Sequence, residues 1–310
     1  MFYDQSPVLN RIGATLVDWI GTAVADISPE DFALTLIVQP GPNSAHPKQA
    51  RGQGFSYRGN VPFYPCSVVK MFILVALHTA YEAGERQRTA ELDRAAHDMI
   101  KWSSNTATNY IIDILSGTTG DTELAPDELE CFAVARGGLN RSFAALGWPE
   151  MTGINLSQKL MDDDRYGREK QFVQRGGNNH NVLTTDASAS LLSRMMSGTM
   201  ISTARDEEMA SLLARPRDKA FVETPGAQVL NYLGAGLPAG APIWSKAGWT
   251  QWTRDPLASF RRHDVVHTTL STGSRMTLAV FTQGQRCAMD LALLPQIGRE
   301  AWRIVDSASL

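Results

Sequence analysis

The chain has 310 residues, 43% of them hydrophobic and 20% charged, with a formal net charge of -3. That length and apolar content suffice for one large core or two lobes, and the scattered basic residues leave no nucleic-acid footprint. The longest apolar run, residues 71–77, falls far short of the ~20 residues that cross a bilayer.

Apolar positions Ile12, Leu16, Val17, Ile20 and Val24 recur at helical spacing and predict a helix over 8–25. Residues 31–38 read as a buried strand and 55–58 as a second, with the polar, glycine-containing stretch 41–54 as a hairpin loop between them. Pro65-Cys66-Ser67 then opens an apolar helix that Gly84 stops. From 90 to 200 the pattern is mostly helical, with segments at 90–101, 105–115, 129–145 and 185–196 divided by loops at 116–121, 148–153 and 176–181. The last third turns to β patterns: a short apolar stretch at 242–247, then 260–270 and 275–282 as an antiparallel pair joined by Ser271-Thr272-Gly273-Ser274. Residues 291–305 close the chain as a helix.

This order predicts an α+β fold. An antiparallel sheet flanked by terminal helices makes one lobe, residues 1–66 and 221–310. An all-helical lobe spans 67–220, and the active site is expected between them. Residues 1–5 carry no basic n-region, apolar h-region or cleavage site, which predicts a mature cytoplasmic protein. Cys66, Cys131 and Cys287 have no metal-ligand spacing and cannot all pair, so free thiols are expected, with Cys66 a site for labelling. The six histidines form no metal motif, and His263 and His267, in one β segment, read as sheet surface. No metal and no cofactor are expected. The expected partner is a small-molecule substrate, not nucleic acid or membrane, and the oligomeric state stays open.

The chemistry concentrates at Ser67-Val68-Val69-Lys70. Residues three apart share a helix face, so this hydroxyl and this amine can touch. A lysine half sunk in apolar surroundings sheds its proton more readily and can serve as base to a serine when no histidine does. At the first turn of a helix, the Ser67 N–H also lacks an internal partner and can face a developing oxyanion. Two further segments answer this one: the polar run Ser103-Ser104-Asn105-Thr106-Ala107-Thr108-Asn109 entering a helix, and the strand-like Trp244-Ser245-Lys246-Ala247-Gly248-Trp249-Thr250.

In that order the three elements resemble S-x-x-K, S-D-N and K-T-G of the class A β-lactamase-like serine hydrolases, within the β-lactamase and penicillin-binding protein superfamily. The resemblance spans nearly the whole chain and implies the β-lactamase/transpeptidase-like fold and an acyl-enzyme hydrolase acting on an amide, lactam or ester carbonyl. It implies Ser67 as nucleophile, Lys70 as its base or relay, Ser103 as proton carrier to the leaving group, and Lys246 as the source of positive potential. Asn105 would hold the substrate amide, Gly248 would let substrate lie along the strand edge, and the N–H groups of Ser67 and Trp249 would form the oxyanion hole.

Three departures bear on substrate and turnover. Ala247 stands where the family has a hydroxyl that binds a lactam carboxylate, a loss on the order of 1.5–3 kcal/mol unless Thr250, or one of Arg254, Arg261 and Arg262, compensates. Ser104 replaces the usual aspartate. No E-x-x-L-N element is present; Glu169, 15 residues before Thr184, is the candidate base for deacylation, ahead of Tyr166 and the acidic run 162–164, which reads as a solvated face. Trp244, Trp249 and Trp252 would wall the site for a flat or apolar acyl group. Alternatives are a cytoplasmic amidase or esterase on a metabolite, and a slowly deacylating penicillin-binding sensor.

Overall fold

A computed structural model describes residues 2–23, 27–41, 52–160 and 164–308. Its sheet joins β1 (Asp4–Gln5), β2 (Phe32–Gln39), β3 (Gln53–Tyr57), β4 (Trp244–Thr250), β5 (Arg261–Thr269) and β6 (Arg275–Gln283) in the order β1-β3-β2-β6-β5-β4. Every pairing is antiparallel except the short β1–β3 contact. In chain order the helices are α1 (Pro7–Ala23), α2 (Val69–Glu82), α3 (Ala90–Lys101), α4 (Asn105–Ser116), α5 (Pro126–Arg136), α6 (Gly138–Ala144), α7 (Gly167–Gln174), α8 (Thr185–Met196), α9 (Thr203–Leu213), α10 (Lys219–Val222), α11 (Gln285–Met289) and α12 (Leu293–Asp306).

The sheet separates two apolar cores. On one face Leu34, Leu36 and Val38 of β2 pack with Leu9, Leu16 and Ile20 of α1 and Leu294 and Ile297 of α12. On the other, Ala33 and Ile37 meet the cluster built by α2, α3 and α8. Helices on both sides explain why β2 reads as an unbroken apolar run instead of an alternating one. Thr35, on that second face, bonds Thr185 at 2.9 Å and Asp186 at 2.7 Å and so pins α8 against the sheet. Residues 69–78 of α2 are buried all round the helix, which marks α2 as the central helix of its core.

The segments expected at 31–38, 90–101, 105–115 and 185–196 become β2, α3, α4 and α8 with shifts of a residue at most. The run expected as one helix over 129–145 is two, α5 and α6, broken at Gly137-Gly138. Two adjacent glycines are poor helix formers. Helices α7 and α9 were not legible, since their apolar residues are too few to set a period. The loop expected over 41–54 lies mostly outside the described residues, although β2 and β3 pair antiparallel as a hairpin would. His263 and His267 are not sheet surface: both are buried, because α8 and the turn Cys66–Val68 pack against β5. Among the described residues no helix is long and apolar enough to cross a membrane, and no cluster of three His, Cys, Asp or Glu side chains is placed to hold a metal.

Candidate active site

Cys66–Val68 form one 3-10 turn that runs straight into α2, so Ser67 and Lys70 lie one turn apart on continuous helical backbone. Cys66 holds φ 49°, in the left-handed region that a side chain disfavours. Ser67 keeps partial exposure, whereas Lys70 is fully buried. A buried ammonium needs partners. Lys70 Nζ donates to the backbone O of Ser103, to Ser103 Oγ at 3.2 Å and to Asn105 Oδ1 at 2.8 Å. These acceptors meet it because Ser103, at φ 55°, turns the chain sharply into α4, whose first turn is capped by Ser104 Oγ accepting from the Ala107 N–H at 3.1 Å.

Lys246 reaches the same hydroxyl from the opposite wall. It is fully buried on β4 and donates to Ser103 Oγ at 3.0 Å, to Ala247 O at 2.8 Å and to the side-chain oxygen of Gln228. One serine oxygen thus sits between two lysine amines. Burial first, then the neighbouring charges of Lys70 and Arg215, pushes Lys246 well below the ordinary lysine range.

β4 is the edge of the sheet, so half of its backbone groups have no strand partner. Which half follows from the contacts: Ile243 O accepts from the Arg215 N–H, Ser245 O from the Arg215 guanidinium at 2.8 Å, and Ala247 O from Lys246. Odd positions therefore face away from β5, and the antiparallel pattern turns the N–H of Trp249 the same way. Beside it, a Cβ built on Gly248 would come within 2.7 Å of the Ser67 nitrogen and 2.9 Å of Pro65 O. The strand edge lies directly against the start of the nucleophile's turn, and only glycine permits that approach.

The structure does not bring Glu169 to this cluster. Arg136 takes both of its carboxylate oxygens, at 2.7 and 3.0 Å, Lys159 stands 3.5 Å away, and Asp113 completes the group. Asp113 lies eight residues beyond Asn105 on α4, roughly 12 Å along the axis. Nearer the catalytic end, Asn109 holds both backbone groups of Leu160, at 2.7 and 2.9 Å, so an apolar side chain occupies that stretch. Asp162 and Asp163 lie outside the described residues, and Asp164 pairs with Arg254 at 3.1 Å.

The candidates for replacing the hydroxyl missing at Ala247 are engaged elsewhere. Thr250 donates its hydroxyl to Ala258 O at 2.6 Å. Arg261 serves the backbone of 257–260. Arg262 donates to Ala288 O at 2.8 Å and stacks on Tyr232 and Trp249. Ala247 itself is buried in the core between the sheet and α1 and α12. Cys66 is no labelling site, since it is buried and burial pushes its thiol up to about 12. All three cysteines are free. Trp249 and Trp252 are exposed at the rim, whereas Trp244 packs partly into the core. Sequence reasoning missed Gln228 and Arg215, which hold Lys246 and the strand edge; a lone glutamine and a lone arginine carry no periodic signal.

A sheet sandwiched by helices, with a serine hydroxyl, two buried lysines and a second serine converging at its edge strand, defines the β-lactamase/transpeptidase-like class. The profile described as the Beta-lactamase enzyme family matches residues 86–305, and the chain belongs to that family. The matched stretch begins after Ser67 and Lys70 and includes Ser103 and Lys246. Among solved structures, a β-lactamase from Sphaerobacter thermophilus superposes with a TM-score of 0.60 at 20% identity, covering 95% of each chain. PBP-A gives 0.62 at 18%, covering 99% of this chain and 98% of its own. A β-lactamase from Chitinophaga pinensis gives 0.62 at 14%, covering 96% and 100%. No curated protein matches in sequence. The chain is a serine hydrolase of the β-lactamase type.

Proposed function

We propose that Ser67 is acylated by an amide, lactam or ester carbonyl and that water releases the acyl group slowly. The observation that carries this reading is the Ser103 hydroxyl held 3.2 Å from Lys70 Nζ and 3.0 Å from Lys246 Nζ, with Lys70 one helical turn from Ser67. In its neutral form Lys70 takes the Ser67 proton as Oγ attacks the carbonyl carbon. The N–H groups of Ser67 and Trp249 bind the oxygen as it gains charge. The proton passes from Lys70 through Ser103 to the leaving nitrogen or oxygen, whose bond to the carbonyl carbon breaks, and Lys246 supplies positive potential. Asn105 keeps Lys70 in line and turns its amide towards substrate. Water then attacks the ester carbon and returns the proton to Ser67.

Slow release is supported by Glu169, whose two oxygens are both committed to Arg136, and by Leu160 beside Asn109. A PBP-A variant of similar fold is an acyl-enzyme complex with penicillin G, which makes a β-lactam a sound probe. Ala247 favours esters and amides without an adjacent carboxylate over anionic lactams, and the Trp249 and Trp252 rim favours a flat acyl group. The test is intact-mass spectrometry after mixing with penicillin G, a chromogenic cephalosporin and a short-chain p-nitrophenyl ester. A lasting adduct on Ser67, absent in Ser67→Ala, is the expected result. Rapid lactam turnover without an accumulating adduct would overturn slow release, and no adduct from any probe would overturn the acyl-enzyme.

A further inference from the structure

Gln228 makes a contact that the family resemblance does not explain. It ends the turn Pro225–Ala227 in the left-handed region, at φ 54° and ψ 52°, an unfavourable place for a residue with a side chain. Packing holds the turn there. A Cβ on Gly226 would lie 2.7 Å from the backbone O of Trp102, the residue before Ser103, and Ala227 is fully buried. The turn is thus wedged between the segment carrying Ser103 and the strand carrying Lys246.

The amide has a fixed direction. Its oxygen accepts from the Lys246 amine, a place its NH2 group cannot take beside a donor.

We propose that Gln228 is the positioning residue that holds the Lys246 amine at Ser103 through a neutral acceptor. The inference rests on the acyl-enzyme reading above. Neutrality matters because the groups facing Lys246 are Lys70, Arg215, Asp264 and Cys66, with Ser103 between the lysines. A carboxylate at 228 would pair with Lys246 and cancel the positive potential the site directs at substrate; an apolar side chain would leave the amine one acceptor short.

The experiment compares the full-length protein with Gln228→Glu and Gln228→Leu, measuring the rate of Ser67 acylation by a fluorophosphonate from pH 6 to 10, with melting temperature as a control for folding. The expected result is an alkaline limb raised by about one pH unit in Gln228→Glu, because the added anion strengthens the hold of Lys246 on its proton. Gln228→Leu is expected to lose about tenfold in rate and to move the limb down. Folded variants that both keep the parent profile overturn the proposal, because a purely structural glutamine alters amplitude and stability without moving the limb. Should the leucine variant not fold, the glutamate variant, equal in size and still an acceptor, decides by itself. NMR titration of lysine 15Nζ reads the Lys246 midpoint without turnover: a rise in Gln228→Glu supports the proposal, and an unchanged midpoint overturns it. An unreactive parent protein would instead overturn the acyl-enzyme reading.

Discussion

Glu169 illustrates how little a residue's neighbours in sequence say about its partner. Its carboxylate faces Arg136, 33 positions away, and the pair is almost fully buried, with the guanidinium stacked 4.8 Å from the ring of Phe132. Breaking a buried ion pair from one side strands the other charge, at about 3–5 kcal/mol. Glu169→Gln should therefore lower the urea midpoint by an amount of that order while leaving the lifetime of the Ser67 adduct unchanged. A longer-lived adduct at unchanged stability would return Glu169 to the catalytic group. Ser67 and Lys70 were legible from their spacing of one helical turn, whereas Ser103 and Asn105, 33 and 35 positions from Lys70, were legible only through the order of the motifs. Lys246 was legible only through the order of the three motifs, and Gln228 not at all, because its role is set wholly by what packs against it.

Elements decide approach distances. The turn Cys66–Val68 that leads into α2 lies against β4, and Gly248 is where the two backbones meet. Gly248→Val puts its Cβ 2.7 Å from Ser67 N and 2.9 Å from Pro65 O, and backbone atoms cannot swing aside as a flexible side-chain end can. Overpacking of this kind costs about 1–3 kcal/mol. Misplacing the Ser67 turn by about 1 Å should slow acylation by about a hundredfold. Acylation kinetics and melting of the same preparation check both; near-parent acylation would mean the strand does not abut the nucleophile. Helix and strand limits were readable because periods of 3.6 and 2 are local properties, whereas the break at Gly137-Gly138 interrupts an apolar pattern that continues on both sides.

Across the whole molecule, burial of titratable groups couples stability to pH. Burial pushes His263 and His267 down to about 3 and His78 to about 4. Their contribution is complete above the unfolded value of about 6.5 and is lost as pH falls, at ~1.4 kcal/mol per pH unit for each group. Asp264 has the opposite sign. Burial lifts it to about 7, so its contribution is complete below the ordinary aspartate range and is lost as pH rises to about 7. Between about pH 4 and 6.5 one carboxyl offsets one histidine, and two histidines remain, roughly 3 kcal/mol per pH unit. The urea midpoint should therefore drop steeply from pH 6.5 to 4.5; a flat midpoint would mean that these histidines are not held neutral.

Taken alone, the amino-acid order determined the class of fold, the limits of most helices and strands, and the three motifs in their sequence. Those follow from apolar spacing, turn residues and the reach of a side chain within a helical turn. Tertiary packing alone decided which carboxylate stays out of the cleft, which arginine braces the edge strand, and which glutamine holds Lys246. Such pairings join residues far apart in the chain, and they form only when two apolar cores close on opposite faces of one sheet and bring each buried charge to its partners.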